Sequence, residues 1–298
     1  MMHPIRKILV PTDFSEASDV AARSAAALAV PNEASIHLLH VIRLPFLHTT
    51  YDLNVPEAIW EGLRKGTRER LSETTRKLED LGVREVHELV SESLQPSEAV
   101  AQSVKDLDAD LVVMGTHGRQ GLSHVLLGSV TERTIRSAPV PVLTVKGEGL
   151  TQGSIARILL ATDFSLHAER AKALACAFAE QTGAHIDVLH VLDESPEYIR
   201  TLSAEVAAFE DRARTMAKEH LEEVGATIRA KGISVETLLR KGRPVDAVVA
   251  EAEELGSDLI VLGTHGHTGF SRVALGSVAE RTLRGAPCSV LTTRSDED

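Results

Sequence analysis

Cysteine is nearly absent from this sequence. Only Cys176 and Cys288 occur in 298 residues. They fall at non-equivalent positions of an internal repeat, which speaks against a disulfide framework or a metal knuckle. Aromatic residues make up 3% of the chain, so its cores must be assembled from Ala, Val, Leu and Ile. No apolar run approaches the roughly 20 residues that span a bilayer. The N-terminal Met1-Met2-His3-Pro4-Ile5-Arg6-Lys7 has no signal-peptide apolar region. The expectation is a cytoplasmic chain with no membrane partner. Basic residues are also outnumbered. Against 43 Asp and Glu there are 32 Lys and Arg, for a net charge of -11, divided as -4 over 1–150 and -7 over 151–298. Two acidic halves argue against nucleic acid as a partner, which needs a basic footprint.

Familiar nucleotide and catalytic motifs are missing too. There is no Gly-x-x-x-x-Gly-Lys-[Ser/Thr], hence no lysine of that kind for β- and γ-phosphates. The first apolar run leads into Thr12-Asp13-Phe14-Ser15 rather than a Gly-x-Gly-x-x-Gly dinucleotide fingerprint. No His/Cys set has zinc spacing; His265-Gly266-His267 is suggestive, but its counterpart is His117-Gly118-Arg119. No Ser-His-Asp set is identifiable from order alone. No catalytic residue and no metal ligand is therefore assigned.

What is present is a duplication. Gly115-Thr116-His117-Gly118, nine residues, then Gly128-Ser129 returns as Gly263-Thr264-His265-Gly266, nine residues, then Gly276-Ser277. About 20 of 31 positions from Gly115 to Val145 and from Gly263 to Thr293 are identical, which marks a repeated unit. Thr162-Asp163-Phe164-Ser165 copies Thr12 to Ser15. Each half alternates short apolar runs with helical patterns. Strands are expected at 7–11, 35–42, 83–90, 111–114 and 140–145, with helices at 15–30, 56–81, 96–107 and 129–137. The second half repeats the order, with strands at 157–161, 185–191, 235–239, 259–262 and 289–292. Its helices are expected at 165–182, 244–255 and 277–284, with 196–231 largely helical. Gly147 to Gly153 reads as the linker, giving domains 1–147 and 154–298. Such alternation implies parallel sheets with helices on both faces, that is, two doubly wound, flavodoxin-like or Rossmann-like α/β domains.

In such sheets ligands sit outside the carboxyl ends of strands, where the strand order reverses. With the order 3-2-1-4-5 the reversal lies between strands 1 and 4. Asp13 and Gly115 would then line one crevice, and Asp163 and Gly263 another. A glycine-rich loop leading into a helix start suits an anion. The plainer readings are that Asp13 or Ser15 caps the first helix, that the glycines serve turns, and that His40 and His190 are structural. His117 and His265 offer backbone N–H groups or, less simply, a general base.

Pro11-Thr12-Asp13-Phe14-Ser15, Leu39-His40-Val41 and Gly-x-x-Gly-x9-Gly-Ser with Val-x-Glu-Arg-Thr resemble the universal stress protein family in its tandem form. The glycine pattern is that of the family's ATP-binding branch. The resemblance implies ATP, with Mg2+, in each domain, and a stress-response regulator acting through a protein partner, with a homodimer among its assemblies. By that resemblance Thr12, Asp13 and Val41 hold the nucleoside, Gly115 borders the ribose, and Gly118, Gly128, Ser129 and Val130 cradle phosphates. The matching positions are Thr162, Asp163, Val191, Gly263, Gly266, Gly276, Ser277 and Val278, with Ala161 standing where Pro11 does. Slow ATP hydrolysis and a nucleotide-independent scaffold are the competing expectations.

Overall fold

The consecutive apolar residues of the central runs bury both their faces, as strands inside a covered parallel sheet do. Ile8, Leu9 and Val10 are completely buried, as are Ile158, Leu159 and Leu160. The computed structural model describes residues 5–43, 56–116, 127–193, 204–265 and 275–294. Two compact units emerge, His3–Gln152 and Gly153–Asp298.

The first unit runs β1 (Lys7–Pro11), α1 (Glu16–Asn32), β2 (Ser35–Ile42), α2 (Glu57–Asp80), β3 (Val86–Glu92), α3 (Pro96–Leu107), β4 (Leu111–Gly115), α4 (Ser129–Ser137) and β5 (Val142–Val145). The second runs β6 (Arg157–Ala161), α5 (Leu166–Thr182), β7 (His185–Leu192), α6 (Ala204–Arg229), β8 (Val235–Lys241), α7 (Pro244–Leu255), β9 (Leu259–Gly263), α8 (Ser277–Gly285) and β10 (Ser289–Thr293). All pairings within each unit are parallel. The first has the order β3-β2-β1-β4-β5 and the second β8-β7-β6-β9-β10. Each is a flavodoxin-like sheet of order 3-2-1-4-5, as the alternation implies. No helix among the described residues is long and apolar enough to cross a membrane.

One carboxylate fixes the central pairing at its lower end. Asp110, just before β4, accepts from the backbone N–H groups of Arg6 and Lys7 at 2.7 and 2.9 Å. Asp258 does the same for Ala156 and Arg157 at 2.8 and 2.9 Å. These bonds set the register of β1 against β4, and of β6 against β9, and so decide which residues meet at the other end.

Several element ends differ from expectation for local reasons. Strand β3 starts at Val86, not 83, because Val83 finishes α2. The Gly82 N–H donates to Glu79 O and the Val83 N–H to Leu78 O, with Gly82 at φ 94° and both Leu78 and Val83 buried. That is a Schellman end, with its apolar contact. Helix α1 continues past Val30 through Pro31, and the Asn32 side chain donates to Leu28 O at 2.7 Å. Strand β5 starts after Pro141, which has no N–H to give the ladder. The glycine-rich connection is also less loose than its composition suggests. Leu150 is buried, and its N–H donates to Ser24 Oγ of α1 at 2.8 Å.

Glycines in different surroundings should respond oppositely to one added methyl group. A Cβ at Gly66 in α2 would meet nothing within 4 Å, whereas one at Gly149 (φ 86°) would lie 2.5 Å from Ser24 Oγ and 2.6 Å from a Val20 methyl. Gly66→Ala should stabilise the first unit by about 0.5–1 kcal/mol. Gly149→Ala should destabilise it by more than about 1 kcal/mol. Thermal melts check both, with each kcal/mol worth ~2–4 °C for a unit of this size.

Candidate functional site

Each first strand leaves its sheet through a turn that has almost the same geometry in both units. The N–H of Thr12 donates to Leu39 O at 2.8 Å, and that of Phe14 to Thr12 Oγ1 at 3.0 Å. The N–H of Ser15 donates to Asp13 Oδ1 at 3.1 Å. In the second unit the same three bonds, from Thr162, Phe164 and Ser165, measure 2.9, 3.0 and 3.0 Å. The helix N-cap is Ser15, whose hydroxyl accepts from the Ser18 N–H at 3.3 Å, and Ser165 plays that part for Ala168. Asp13 and Asp163 therefore brace the turn rather than cap the helix, and each does so through Oδ1.

This turn stores strain. Phe14 and Phe164 sit at φ 60° and 64°, the left-handed region that bulky side chains rarely occupy. Holding them there costs on the order of 1–3 kcal/mol each. An imidazole against each ring, stacked in the first unit and tilted by 32° in the second, offsets part of that. His40 lies 4.4 Å from the Phe14 ring and His190 4.4 Å from the Phe164 ring. Nδ1 of His40 meets Thr12 O at 2.8 Å, and Nδ1 of His190 meets Thr162 O at 2.8 Å. A carbonyl can only accept, so Nδ1 carries the proton in both. These histidines are structural, as their strand positions suggest. Burial pushes the His190 pKa below its ordinary 6.5, against the opposing pull of the Thr162 bond and the Asp163 charge.

Across the crevice stand the ends of β4 and β9 and the helix starts that follow. The Gly128 N–H donates to Thr116 O at 2.7 Å, and the Gly276 N–H to Thr264 O at 2.8 Å. Thr131 Oγ1 adds a bond to Gly115 O at 2.9 Å. Gly128 and Gly276 are the N-caps of α4 and α8, with φ of -63° and -60°. They are not there for positive φ. A Cβ on Gly276 would lie 2.8 Å from Thr264 O, so close approach of two backbones demands this glycine. Gly115 and Gly263 are demanded by packing as well. Their Cβ atoms would lie 2.8 Å from Ala17 O and 2.9 Å from His167 Cβ, in the first turns of α1 and α5. A glycine cap has no side chain to satisfy the helix's first N–H groups. Those of Ser129 and Val130, and of Ser277 and Val278, lack intrahelical acceptors and favour an anion.

In the second unit these pieces enclose a cavity of about 290 Å³. Thr162, Asp163, Val191, Gly263, Gly276, Ser277 and Val278 all line it. Of the eight positions assigned by resemblance in this half, only Gly266 is not among them, and it lies outside the described residues, as do Gly118 and His117. In the first unit Thr12, Asp13, Val41, Gly115, Gly128, Ser129 and Val130 occupy the same ends of the same elements. Sequence reading missed the apolar walls: Pro244 and Val248 of α7 face this cavity with Leu189 and Leu262. The repeated Pro96 and Val100 were the available signal, but they read simply as a helix start. His265 also lines the cavity, its Nδ1 3.0 Å from Thr264 Oγ1. Among the described lining residues Asp163 is the one acid, and there is no Lys or Arg.

A separate polar cluster was not foreseen, because its members come from two strands. Ligand atoms of His185, Asp187 and Glu236 lie within 4.8 Å of one another at the starts of β7 and β8, the opposite end from the cavity. Arg157 already binds both Asp187 oxygens at 2.6 and 3.0 Å. The buried Asp187 is thus neutralised by a guanidinium, which is a structural ion pair rather than a cation site.

Two measurements follow. Gly115→Ala should destabilise the first unit without any ligand present, by about 1–3 kcal/mol from overpacking, read by denaturant titration. His190 and His37 both have pKa values lowered by burial from 6.5. The unfolded chain therefore takes up protons first as pH falls. Their contribution is fully present above 6.5 and is lost as pH drops from 6.5 towards the folded values. The urea midpoint should fall between pH 7.5 and 5, and His190→Gln should make that fall shallower in the second unit.

Comparison with known proteins agrees with this architecture. The family model described as the universal stress protein family matches residues 4–146 and again 154–294. A universal stress protein of Mycolicibacterium smegmatis is 30% identical over 291 residues, covering 96% of each chain. One from Methanocaldococcus jannaschii is 36% identical over 142 residues, covering 47% of this chain and 82% of its own. The crystal structure of a universal stress protein from Archaeoglobus fulgidus superimposes with a TM-score of 0.73 at 25% identity, covering 97% of this chain and 98% of the other. A repeated strand order, a repeated Thr-Asp-Phe-Ser turn and two family matches end to end lead to one assignment: this chain belongs to the universal stress protein family, as two such domains in tandem.

Proposed function

We propose that each domain binds ATP, with Mg2+, and that occupancy acts as a regulatory signal read by a protein partner. The observation that carries this reading is the second-domain cavity. It joins an aspartate already oriented by its own turn to a helix start with no side-chain cap, across apolar walls. Such a site suits a ligand with a polar heterocyclic or sugar end, a flat apolar middle and an anionic tail. Asp163 and the backbone of Val191 would hold the nucleoside. The N–H groups of Ser277 and Val278, with the Ser277 hydroxyl, would take phosphate, aided by the helix dipole. Thr12, Asp13, Val41, Gly128, Ser129 and Val130 would do the same in the first domain. Mg2+ would be held chiefly by the phosphate oxygens and water, since Asp163 is the single acid among the described lining residues.

Hydrolysis is not what these residues favour. Fast phosphoryl transfer needs positive charge aimed at the moving group and a positioned nucleophile. No Lys or Arg is found among the described lining residues. The second reading, a slow hydrolase, draws its support from His265, the one lining imidazole near the helix start.

Calorimetric titration of the full chain with ATP and Mg2+ should give close to two nucleotides per chain, and mass spectrometry of the freshly purified protein should detect the nucleotide. A stoichiometry of zero rejects the proposal. Ser277→Ala removes one hydroxyl from the cradle and should weaken one of the two sites about three- to tenfold. In a single-turnover assay phosphate should appear far more slowly than about 1 s⁻¹, the low end of ordinary enzymes. A rate at or above that, abolished by His117→Ala with His265→Ala, would favour the hydrolase instead.

A further inference from the structure

The turns that carry Asp13 and Asp163 are alike in backbone but are braced differently by the helices that cross them. In the first domain Arg70 of α2 places its guanidinium carbon 4.4 Å from the centroid of the Phe14 ring. Its Nη2 also donates to the Phe14 carbonyl at 3.3 Å. Because His40 stacks on the same ring at 4.4 Å, the ring lies between an imidazole and a guanidinium. Arg70 follows Phe14 by 56 positions. The residue at that spacing from Phe164 is His220 of α6, which meets the ring edge-on at 5.2 Å and 61°.

We infer that Arg70 is a positioning residue of the first-domain site, and that His220 in its place makes the second-domain site the weaker of the two. The inference rests on the nucleotide reading above, which by itself does not require unequal sites. Phe14 is held in a left-handed conformation between Asp13 and Ser15, so the bond from Ser15 N–H that orients the Asp13 carboxylate depends on Phe14 staying there. Arg70 acts on both soft parts of that residue. Its cationic plane holds the ring, and its N–H holds the carbonyl. His220 offers an edge contact to the ring in place of that planar, two-point grip. A turn that relaxes part of the time presents a binding-competent carboxylate only part of the time, and apparent affinity falls by that fraction. A cation over a half-buried ring such as Phe14 shifts such an equilibrium by about two- to fivefold, and the carbonyl bond adds to it.

The test is a swap in the full chain, titrated with ATP and Mg2+ by calorimetry. The unmodified chain should resolve into two affinities about three- to tenfold apart. Arg70→His should convert the tighter site to the weaker class. His220→Arg should tighten the weaker one, a gain that a merely structural role for these side chains would not produce. The double swap should restore two classes. Both positions touch their turns from exposed helix faces, and unchanged melting temperatures would show that the fold is intact. Every other difference between the sites, among them Pro11 against Ala161, Ala17 against His167, Ser18 against Ala168 and Thr131 against Ala279, stays fixed throughout. Equal affinities in the unmodified chain, or His220→Arg without tightening, would overturn the inference and leave the nucleotide reading standing. No binding by any of the four proteins would reject that reading itself, and the inference with it.

Discussion

The parallel pairing of β1 with β4, and of β6 with β9, is the constraint on which the rest depends. Chain order would place β1 beside β2 and go no further. Only the return through β3 and α3 brings β4 to its other side, with Ile8 opposite Leu111 and Leu9 opposite Val112. Asp110 at the lower end makes that register hard to slip, because a shift would leave a carboxylate and two backbone N–H groups unsatisfied. With the lower ends fixed, the upper ends are delivered to the same height. A turn bearing Asp13 and the end of β4, with the glycine N-cap of α4 bonded to Thr116 beside it, then lie at the same end of the sheet.

Near the crevice, several residues that look chosen for a ligand are first required by the protein. Gly276 keeps a Cβ out of the Thr264 carbonyl, and Gly263 keeps one out of His167. Ser15 and Ser165 cap helices. Asp13 and Asp163 spend one oxygen on their own turns. This double duty is a form of preorganisation. Groups already fixed by backbone approach or by a short hydrogen bond need little ordering when a ligand arrives, so less binding free energy is lost. The strained phenylalanines fit the same pattern, since strain survives only where the surroundings over-determine it. A stacked histidine and a helix side chain do so here.

The two copies show how far this arrangement tolerates change. Position by position the backbone bonds of the turns agree to about a tenth of an ångström. What differs are side chains: Ser18 against Ala168 and Thr131 against Ala279 in the site, and around it Arg70 against His220, Ala17 against His167, and the edge cluster where His37 and His87 stack in one copy and Asp187 pairs with Arg157 in the other. The turn geometry is held by one threonine and one aspartate, Thr12 and Asp13 or Thr162 and Asp163, which are identical in both, whereas Thr131, which bonds Gly115 O, is replaced by Ala279. Side chains that only lean on that geometry are free to diverge.

The sequence by itself determined the elements and their repetition. Apolar runs of four to eight residues, proline at the starts of α3 and α7, and the matched glycine spacings made ten strands and eight helices legible, with most ends within two residues of those observed. It also placed Asp163 and Gly263 at one crevice, because strands that end where a doubly wound sheet reverses have one natural meeting point, while Val191, Gly276, Ser277 and Val278 joined them through the resemblance to the universal stress protein family. Tertiary structure alone decided what each residue is for. That Gly276 answers to Thr264, that Val83 ends a helix instead of starting a strand, and that Pro244 and Val248 wall the cavity all depend on contacts between segments distant along the chain or on backbone angles. Periodicity reports which way a side chain faces along its own element. It carries no information about the atom waiting on the other side, and that atom sets whether a missing Cβ is a turn, a packing contact or room for a ligand.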